Sequence, residues 1–328
     1  MRVLFRVDAS RAIGIGHVAR CMTLAERLRQ AGALVEFACL ELPGNIIPDI
    51  RRAGFDVRTA DGPIGARFDW LVVDHYGLDA GYESAMRACV RRILVIDDLA
   101  NRPHDCDLLL DQNLYADMQS RYLRHVPPHA RVLAGPRFAL LRPEFSAARP
   151  RVRRQKEARR IFVFFGGSDP TNETVKALRG LAGPGHGDIC MDVLVGVSNP
   201  FRDQIEALAR GKPNVALIPP TNRISELLLA ADLAVGAGGT TSWERCCLGV
   251  PTIAIAVADN QVALSATLAE RGYQIFLGRS DALHSHHIPD AVSDSLTDFD
   301  ATVAMGLRGM ELVDGLGAER VVAAMETI

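Results

Sequence analysis

The chain has 328 residues, 48% hydrophobic and 23% charged, with a formal net charge of −2, which suits two globular domains of ordinary size. This balance gives no electrostatic reason to expect nucleic acid or an anionic membrane as a partner. Seven scattered cysteines without a Cys-x-x-Cys pair fit reduced, buried thiols and argue against a disulfide framework or a zinc site.

Residues 2–8 (RVLFRVD) read as a buried strand, and because the strand pattern begins directly after Met1, no secretory leader is expected. A glycine loop follows, ending Gly14-Ile15-Gly16-His17. It opens a helix over 16–31 whose Val18, Cys21, Met22, Ala25 and Leu28 share one face, with Gly32 as its stop. Further strands are expected at 34–40, 70–74, 93–97, 108–111 and 131–134, and a helix over 80–90. Several strands end in a carboxylate (Asp8, Asp74, Asp97, Asp111), so the carboxyl edge of this sheet is polar.

Hydrophobic periodicity stops over 147–160, where AARPRVRRQKEARR carries seven basic residues and no aromatic; a solvated linker explains it better than a phosphate or nucleic-acid patch. Strands then resume at 161–165, 192–195, 215–218, 233–235 and 252–257, with helices at 171–181, 200–210, 223–230, 241–248 and 260–271. The alternation predicts an α/β protein of two Rossmann-like domains with a central cleft, divided 1–147, 148–160 as linker, and 161–328. No apolar run approaches the roughly 20 residues of a membrane span, so a cytoplasmic protein is expected. Nothing in the pattern demands more than one copy of the chain.

Three segments carry chemistry. His17, delivered by Gly14–Gly16 to a helix start at the carboxyl edge of a sheet, sits where open α/β folds bind ligands. A helix N-terminus disfavours imidazolium and so suits a proton acceptor; the plainer reading is a helix-packing side chain. In the second half, Phe165-Gly166-Gly167-Ser168-Asp169-Pro170, with Asn172 after it, and Gly236-Ala237-Gly238-Gly239-Thr240-Thr241, with Glu244 after it, each run from strand to helix. Glycines there let the backbone approach an anion, and Glu244 is spaced to accept from ribose hydroxyls. Asn260 and Gln261, after the strand at 252–257, either read sugar or phosphate oxygens or belong to a helix cap. On the first sheet edge, Tyr76 is placed to contact a sugar or the attacking water, and Arg11 to order its loop or face a pyrophosphate. His284, His286 and His287 lack a metal-ligand pattern and read as an exposed loop. No metal and no cofactor is expected.

Gly14-x-Gly16-x-x-Ala19 with Glu36 also matches a dinucleotide fingerprint. Ala9 to Ile13, after Asp8, nevertheless separate the strand from its first glycine, and Glu36 falls inside a strand pattern.

Together, the loop from Asp8 to Cys21, the Val73-Asp74-His75-Tyr76 turn and the two later glycine turns resemble, in order from Met1 to about Gly278, the nucleotide-sugar hydrolases of the pseudaminic acid pathway. These act on UDP-2,4-diacetamido-2,4,6-trideoxy-β-L-altropyranose, and their wider relatives are two-domain glycosyltransferases of the GT-B type. The resemblance implies that the C-terminal domain holds UDP and that His17 is the catalytic base. It further implies that Asn172, Glu244 and Asn260 hold the nucleotide sugar, with Gly14, Ile15 and Gly16 bordering it. The expected partner is therefore a small UDP-sugar substrate. A GT-B transferase and a non-catalytic nucleotide-sugar module are the competing readings.

Overall fold

The computed structural model describes all residues except 12, 63, 66, 119 and 182–186. In chain order the elements are β1 (Arg2–Val7), α1 (Gly16–Gln30), β2 (Leu34–Cys39), α2 (Ile47–Arg52), β3 (Asp56–Thr59), β4 (Phe68–Asp74), α3 (Ala80–Met86), β5 (Val90–Ile96), β6 (Leu108–Asp111) and β7 (Arg131–Ala134). They continue with α4 (Pro143–Ala148), β8 (Arg160–Phe164), α5 (Glu173–Leu181), β9 (Cys190–Leu194), α6 (Arg202–Ala209), β10 (Val215–Ile218), α7 (Ile224–Ala230), β11 (Leu233–Ala237) and α8 (Thr241–Cys247). The last are β12 (Thr252–Ala256), α9 (Val262–Glu270), β13 (Ile275–Arg279), α10 (His287–Thr297), α11 (Phe299–Leu312) and α12 (Gly317–Thr327). Two compact units result: Met1–Arg142 with Gly315–Ile328, and Pro143–Asp314.

The first unit is built on a seven-stranded sheet in the order β3-β2-β1-β4-β5-β6-β7, and every pair is parallel. β1 is buried on both faces. Val3, Phe5 and Val7 join the α1 residues Val18, Cys21, Leu24 and Leu28, while Leu4 turns the other way to Leu71, Val73 and Val95. Each such side chain contributes roughly 1.5–3 kcal/mol by leaving water. α1 stops where Gly32 adopts a φ of 84°, which lets Ala33 N–H donate to Leu28 O at 3.0 Å. Strand order reverses between β1 and β4, so the loops that follow them open the ligand-binding edge of this sheet. The second unit carries a six-stranded parallel sheet, β10-β9-β8-β11-β12-β13, whose order reverses between β8 and β11.

Several expectations need correction. The helix expected over 80–90 ends at Met86, because Cys89 O already accepts from Phe68 N–H in the sheet at 3.0 Å. α12 belongs to the first unit, not the second: Ala318, Val321 and Met325 lie in the core with Leu24 and Leu28. Nor is the basic stretch a solvated linker. Arg149 donates to Cys247 O at 3.0 Å and Val313 O at 2.7 Å, and Arg154 donates to Ala231 O and Leu248 O. These are helix-terminal carbonyls, which favour a cation. The stretch is thereby part of the second unit, whose boundary falls at Pro143 rather than 161.

α2, β3 and β13, each short or half-exposed, and α10 to α12 are not among the elements expected from the sequence. Among the described residues no helix is long and apolar enough to cross a membrane. All seven cysteines are free; burial pushes the adjacent Cys246 and Cys247 thiols up to about 12 and about 11, as packing groups.

Candidate active site

In the first unit, the loop after β1 closes on itself before α1 begins. Gly14 N–H donates to Ser10 O at 2.8 Å, and Ile13 N–H to Ser10 Oγ at 3.0 Å. Gly14 has a φ of 80°, the left-handed region where a side chain is strained. Ile15 is the exposed N-cap of α1, Gly16 is its first residue, and no side chain caps the helix. Arg11 is exposed, and its Cγ packs where a Cβ on Gly44 would lie, at 2.7 Å.

His17 then enters a buried charge network. Its Nδ1 lies 2.6 Å from Asp74 Oδ1 at the end of β4. Against a carboxylate oxygen at that distance Nδ1 is the donor of a neutral ring and Nε2 its acceptor; Arg20 Nη2 also lies 3.2 Å from Nδ1. Arg20, one turn along α1, grips the same carboxylate through Nε at 2.6 Å and Nη2 at 2.7 Å. Its Nη1 reaches Asp98 Oδ2 at 3.3 Å, and Asp98 Oδ1 accepts from the Tyr76 hydroxyl at 2.9 Å. The Tyr76 ring meets His17 edge-on, with centroids 4.7 Å apart. Burial alone would push the Asp74 carboxyl up, but Arg20 and His17 outweigh it and hold it well below the usual carboxylate range. His17 itself is only 11% exposed at its side chain. The ionised Asp74 carboxylate thus fixes the orientation of the His17 ring.

Asp8, the other carboxylate at the switch point, faces inward. Burial opposes its charge, yet bonds from His75 and Arg6 hold its carboxyl far below the ordinary value. Leu40 N–H donates to it at 2.8 Å, so Asp8 ties β1 to β2. Glu36 lies inside β2 and pairs with Arg2 at 3.1 Å and Arg58 at 2.6 Å, away from the sheet edge where a ribose-binding acid belongs. The dinucleotide reading fails on this point.

In the second unit, both expected glycine turns lie at the strand-order reversal, after β8 and β11. Gly166 has a φ of 91° with open space where a side chain would stand. Gly167 is pressed against the loop after β9, where its carbonyl accepts from Ser198 N–H at 3.1 Å; a Cβ on Gly196 would lie 2.1 Å from that oxygen. Ser168 is half-buried on the same turn.

Asp169 departs from expectation. It is buried, and its two oxygens accept from Glu173 N–H and Thr174 N–H at 2.9 Å each, so it caps α5 instead of facing a ligand. Asn172 precedes α5 in a left-handed conformation, φ 60°, rather than lying on its first turn.

After β11, Gly238 leaves room for Ser265 of α9, whose Oγ would lie 2.0 Å from a Cβ on Gly238. Gly239 borders Gln261, and Thr240 is the exposed N-cap residue of α8, which carries Glu244 in its first turn. Asn260 and Gln261 lie in a short 3-10 turn before α9. Gln261 Oε1 accepts from Val257 N–H at 3.0 Å, so this side chain braces the end of β12, while Asn260 stands exposed. Ala258 makes no side-chain cap there, and Asp259 pairs with Arg279.

Sequence reasoning missed Arg20, Asp98, Arg245 and Ser265. Arg20 had a signal: an arginine three residues after His17, on the helix face otherwise occupied by Cys21 and Leu24. The histidines 284, 286 and 287 stack on one another, with His286 and His287 centroids 4.3 Å apart, at the start of α10. Among the described residues no three His, Cys, Asp or Glu side chains gather as metal ligands would.

No family model matches the chain. It is 26% identical over 339 residues to the spore coat polysaccharide biosynthesis protein SpsG of Bacillus subtilis, covering 100% of this chain and 98% of that one. It is 28% identical over 282 residues to the UDP-2,4-diacetamido-2,4,6-trideoxy-β-L-altropyranose hydrolase of Campylobacter jejuni, covering 84% of this chain and 98% of the hydrolase. The chain resembles both along most of its length. The resemblance seen in the motifs is thus one of whole sequences. Solved structures share the fold across the whole chain. MurG of Acinetobacter baumannii, 13% identical, superposes with a TM-score of 0.67 over 100% of this chain and 99% of its own. The UDP-GlcNAc 2-epimerase of Neisseria meningitidis, 12% identical, does so with a TM-score of 0.66 over 100% of both. The fold is of the expected two-domain, GT-B-like α/β class.

Proposed function

We propose that the chain is a nucleotide-sugar enzyme that hydrolyses a UDP-linked 2,4-diacetamido-2,4,6-trideoxy sugar to UDP and the free sugar, a step toward pseudaminic acid. The observation that carries this reading is the His17–Asp74–Arg20 arrangement, on a chain resembling a hydrolase of such a substrate. His17 Nε2 takes a proton from water as the water oxygen bonds to the anomeric carbon. The bond from that carbon to the diphosphate oxygen breaks, and its electron pair leaves with UDP. Asp74 keeps the ring in the Nδ1–H tautomer and stabilises the imidazolium as it forms, much as a carboxylate does in hydrolytic triads. In the second unit the backbone N–H groups at Gly166–Ser168 and at Gly239 and Thr240 face the diphosphate, while the Gly238 N–H is held by Ile255 O at 3.0 Å, and Glu244 accepts from the ribose. Asn172 and Asn260 contact the sugar nucleotide. Tyr76 and the Arg11 loop border the sugar.

Incubating the pure protein with the UDP-sugar in H₂¹⁸O tests this. UDP release with the label on the anomeric carbon is the expected result. Label in the UDP phosphate would place attack at phosphorus and remove His17 from its role. UDP release only when a sugar acceptor is added would make the chain a transferase.

A further inference from the structure

Arg245 is 3% exposed, yet it forms no ion pair among the described residues. Its guanidinium turns back under the second glycine turn. Nη2 donates to Ala237 O at 2.8 Å and Ser242 Oγ at 3.0 Å, and Nη1 to Thr241 Oγ1 at 3.3 Å, while Nε has no partner. Nη1 stands 2.8 Å from the place a Cβ on Gly236 would take, so the group lies directly beneath the backbone of the turn. Its hydrogen bonds all go to neutral oxygens; burial pulls the guanidinium down to about 10 and outweighs the opposing pull of the neighbouring Glu244 carboxylate, which makes no ion pair with it.

Two features make this arrangement costly unless an anion completes it. A buried charge without a counter-charge is unfavourable by several kcal/mol. The guanidinium also folds toward the start of α8, the helix end where a cation is least favoured. Arg149 and Arg154, the other inward arginines of this unit, instead point at helix-terminal carbonyls. If Arg245 only braced the turn, a neutral donor would serve and the charge would be a pure penalty. A second buried group beneath the turn is also unpartnered: Ser265 Oγ, on the far side of Gly238.

We propose that Arg245 is a positioning residue for the diphosphate: from beneath the turn 236–242 it supplies the positive charge that a bound diphosphate neutralises, and it fixes the backbone that contacts the phosphates. This rests on the reading of the turn as the diphosphate site. It assigns the preference for UDP over uridine to a side chain that never touches the ligand.

Calorimetry of UDP and uridine on wild type, Arg245→Met and Arg245→Lys tests it. In Arg245→Met, UDP affinity falls about 10-fold or more while uridine affinity stays within a few-fold, as loss of a near, partly screened charge requires. The ligand-free Met variant melts no lower than wild type, because removing the uncompensated charge offsets the lost hydrogen bonds. Arg245→Lys keeps most of the UDP preference, and it decides the matter should the Met variant fail to fold. Equal weakening of UDP and uridine, an unchanged preference in the Met variant, or a Lys variant as impaired as the Met variant would each overturn the assignment. A wild type that binds UDP no better than uridine would overturn the diphosphate site itself.

Discussion

The carboxyl edge of the first sheet and the glycine turns of the second solve opposite electrostatic problems. Around His17 every charge has a partner: Asp74 receives Arg20 and His17, Asp98 receives Arg20 and Tyr76, and Asp8 receives Arg6. None of these side chains beyond Arg6 is left with an orphaned buried polar atom. The second unit's turns are the reverse. Thr171 Oγ1, Asn172 Oδ1 and Glu173 Oε2 are buried and unpartnered at the first, and Trp243 Nε1, Arg245 Nε and Ser265 Oγ at the second. Each such atom costs roughly 1–3 kcal/mol. On the proposed function, the first region is organised in advance for proton transfer, whereas the unsatisfied groups of the second suit ligand binding. Function in the first should therefore fail through kcat, and in the second through affinity.

The sharpest test of this contrast is His17→Asn, which keeps size and some hydrogen bonding but accepts no proton near neutral pH. A fall of about 10²-fold or more in kcat is expected, with the Kd for UDP within a few-fold of wild type. Comparable losses in both quantities would erase the division between the two regions. Asp74→Asn should cost somewhat less in kcat, about 10- to 100-fold, through loss of the fixed tautomer. It also leaves Arg20 buried without its main anion, so a lower melting temperature is expected alongside unchanged UDP affinity. A variant with full kcat would show that Asp74 serves the fold alone.

How far each region was legible follows from the same contrast. The strand-loop-helix order and the apolar periodicities of β1 and α1 are local, so the sequence was sufficient to place His17 at the carboxyl edge of a sheet; that this edge is a switch point depends on the strand order. Asp74 was legible as a strand-terminal carboxylate, but its pairing with His17 spans 57 positions and depends on β1 lying beside β4. The glycine turns were visible as composition, yet Gly238 turns out to be a packing glycine for Ser265, and Asp169 a cap whose carboxylate faces Glu173 and Thr174. Arg149 and Arg154 read as linker charge because nothing local reveals which helix ends lie nearby. α12 returns to the first unit for a similar reason: its partner, α1, lies at the opposite end of the chain.

For the second region, Glu244→Ala should weaken UDP binding by about 1.5–3 kcal/mol, the worth of a hydrogen bond to a charged group, with kcat changed less. Calorimetry against UDP and 2′,3′-dideoxy-UDP separates ribose recognition from a general effect. The variant and the dideoxy ligand should show similar, non-additive losses. Unchanged UDP affinity would remove Glu244 from the ribose.

Within the first region, one carboxylate breaks the pattern of paired charge, and its expected effect falls on stability alone. Asp111 ends β6, adjacent to the strand whose end carries Asp97. Burial pushes its carboxyl up from 3.8 to about 7, against bonds from Asn113 N–H at 2.9 Å and the Tyr122 hydroxyl at 3.0 Å. Arg121 comes no nearer than 3.7 Å. In the unfolded chain this group ionises near 3.8, so between there and about 7 only the folded state holds the proton. Its contribution to stability is therefore full below the lower value and declines as pH rises to the higher one. Asp8 and Asp74, with lowered values, act in the opposite sense: their contribution is lost only as pH falls below the ordinary carboxylate range. An amide mimics the protonated acid, so Asp111→Asn should gain on wild type between pH 5 and pH 8 by about 2–3 kcal/mol. Melting curves at both pH values would read this as several degrees in the transition of the first unit. A difference that does not grow with pH would mean that Asp111 is ionised in the folded protein throughout. The carboxyl edge would then hold a fourth fixed negative charge beside His17's network, and the contrast with the second unit would be sharper still.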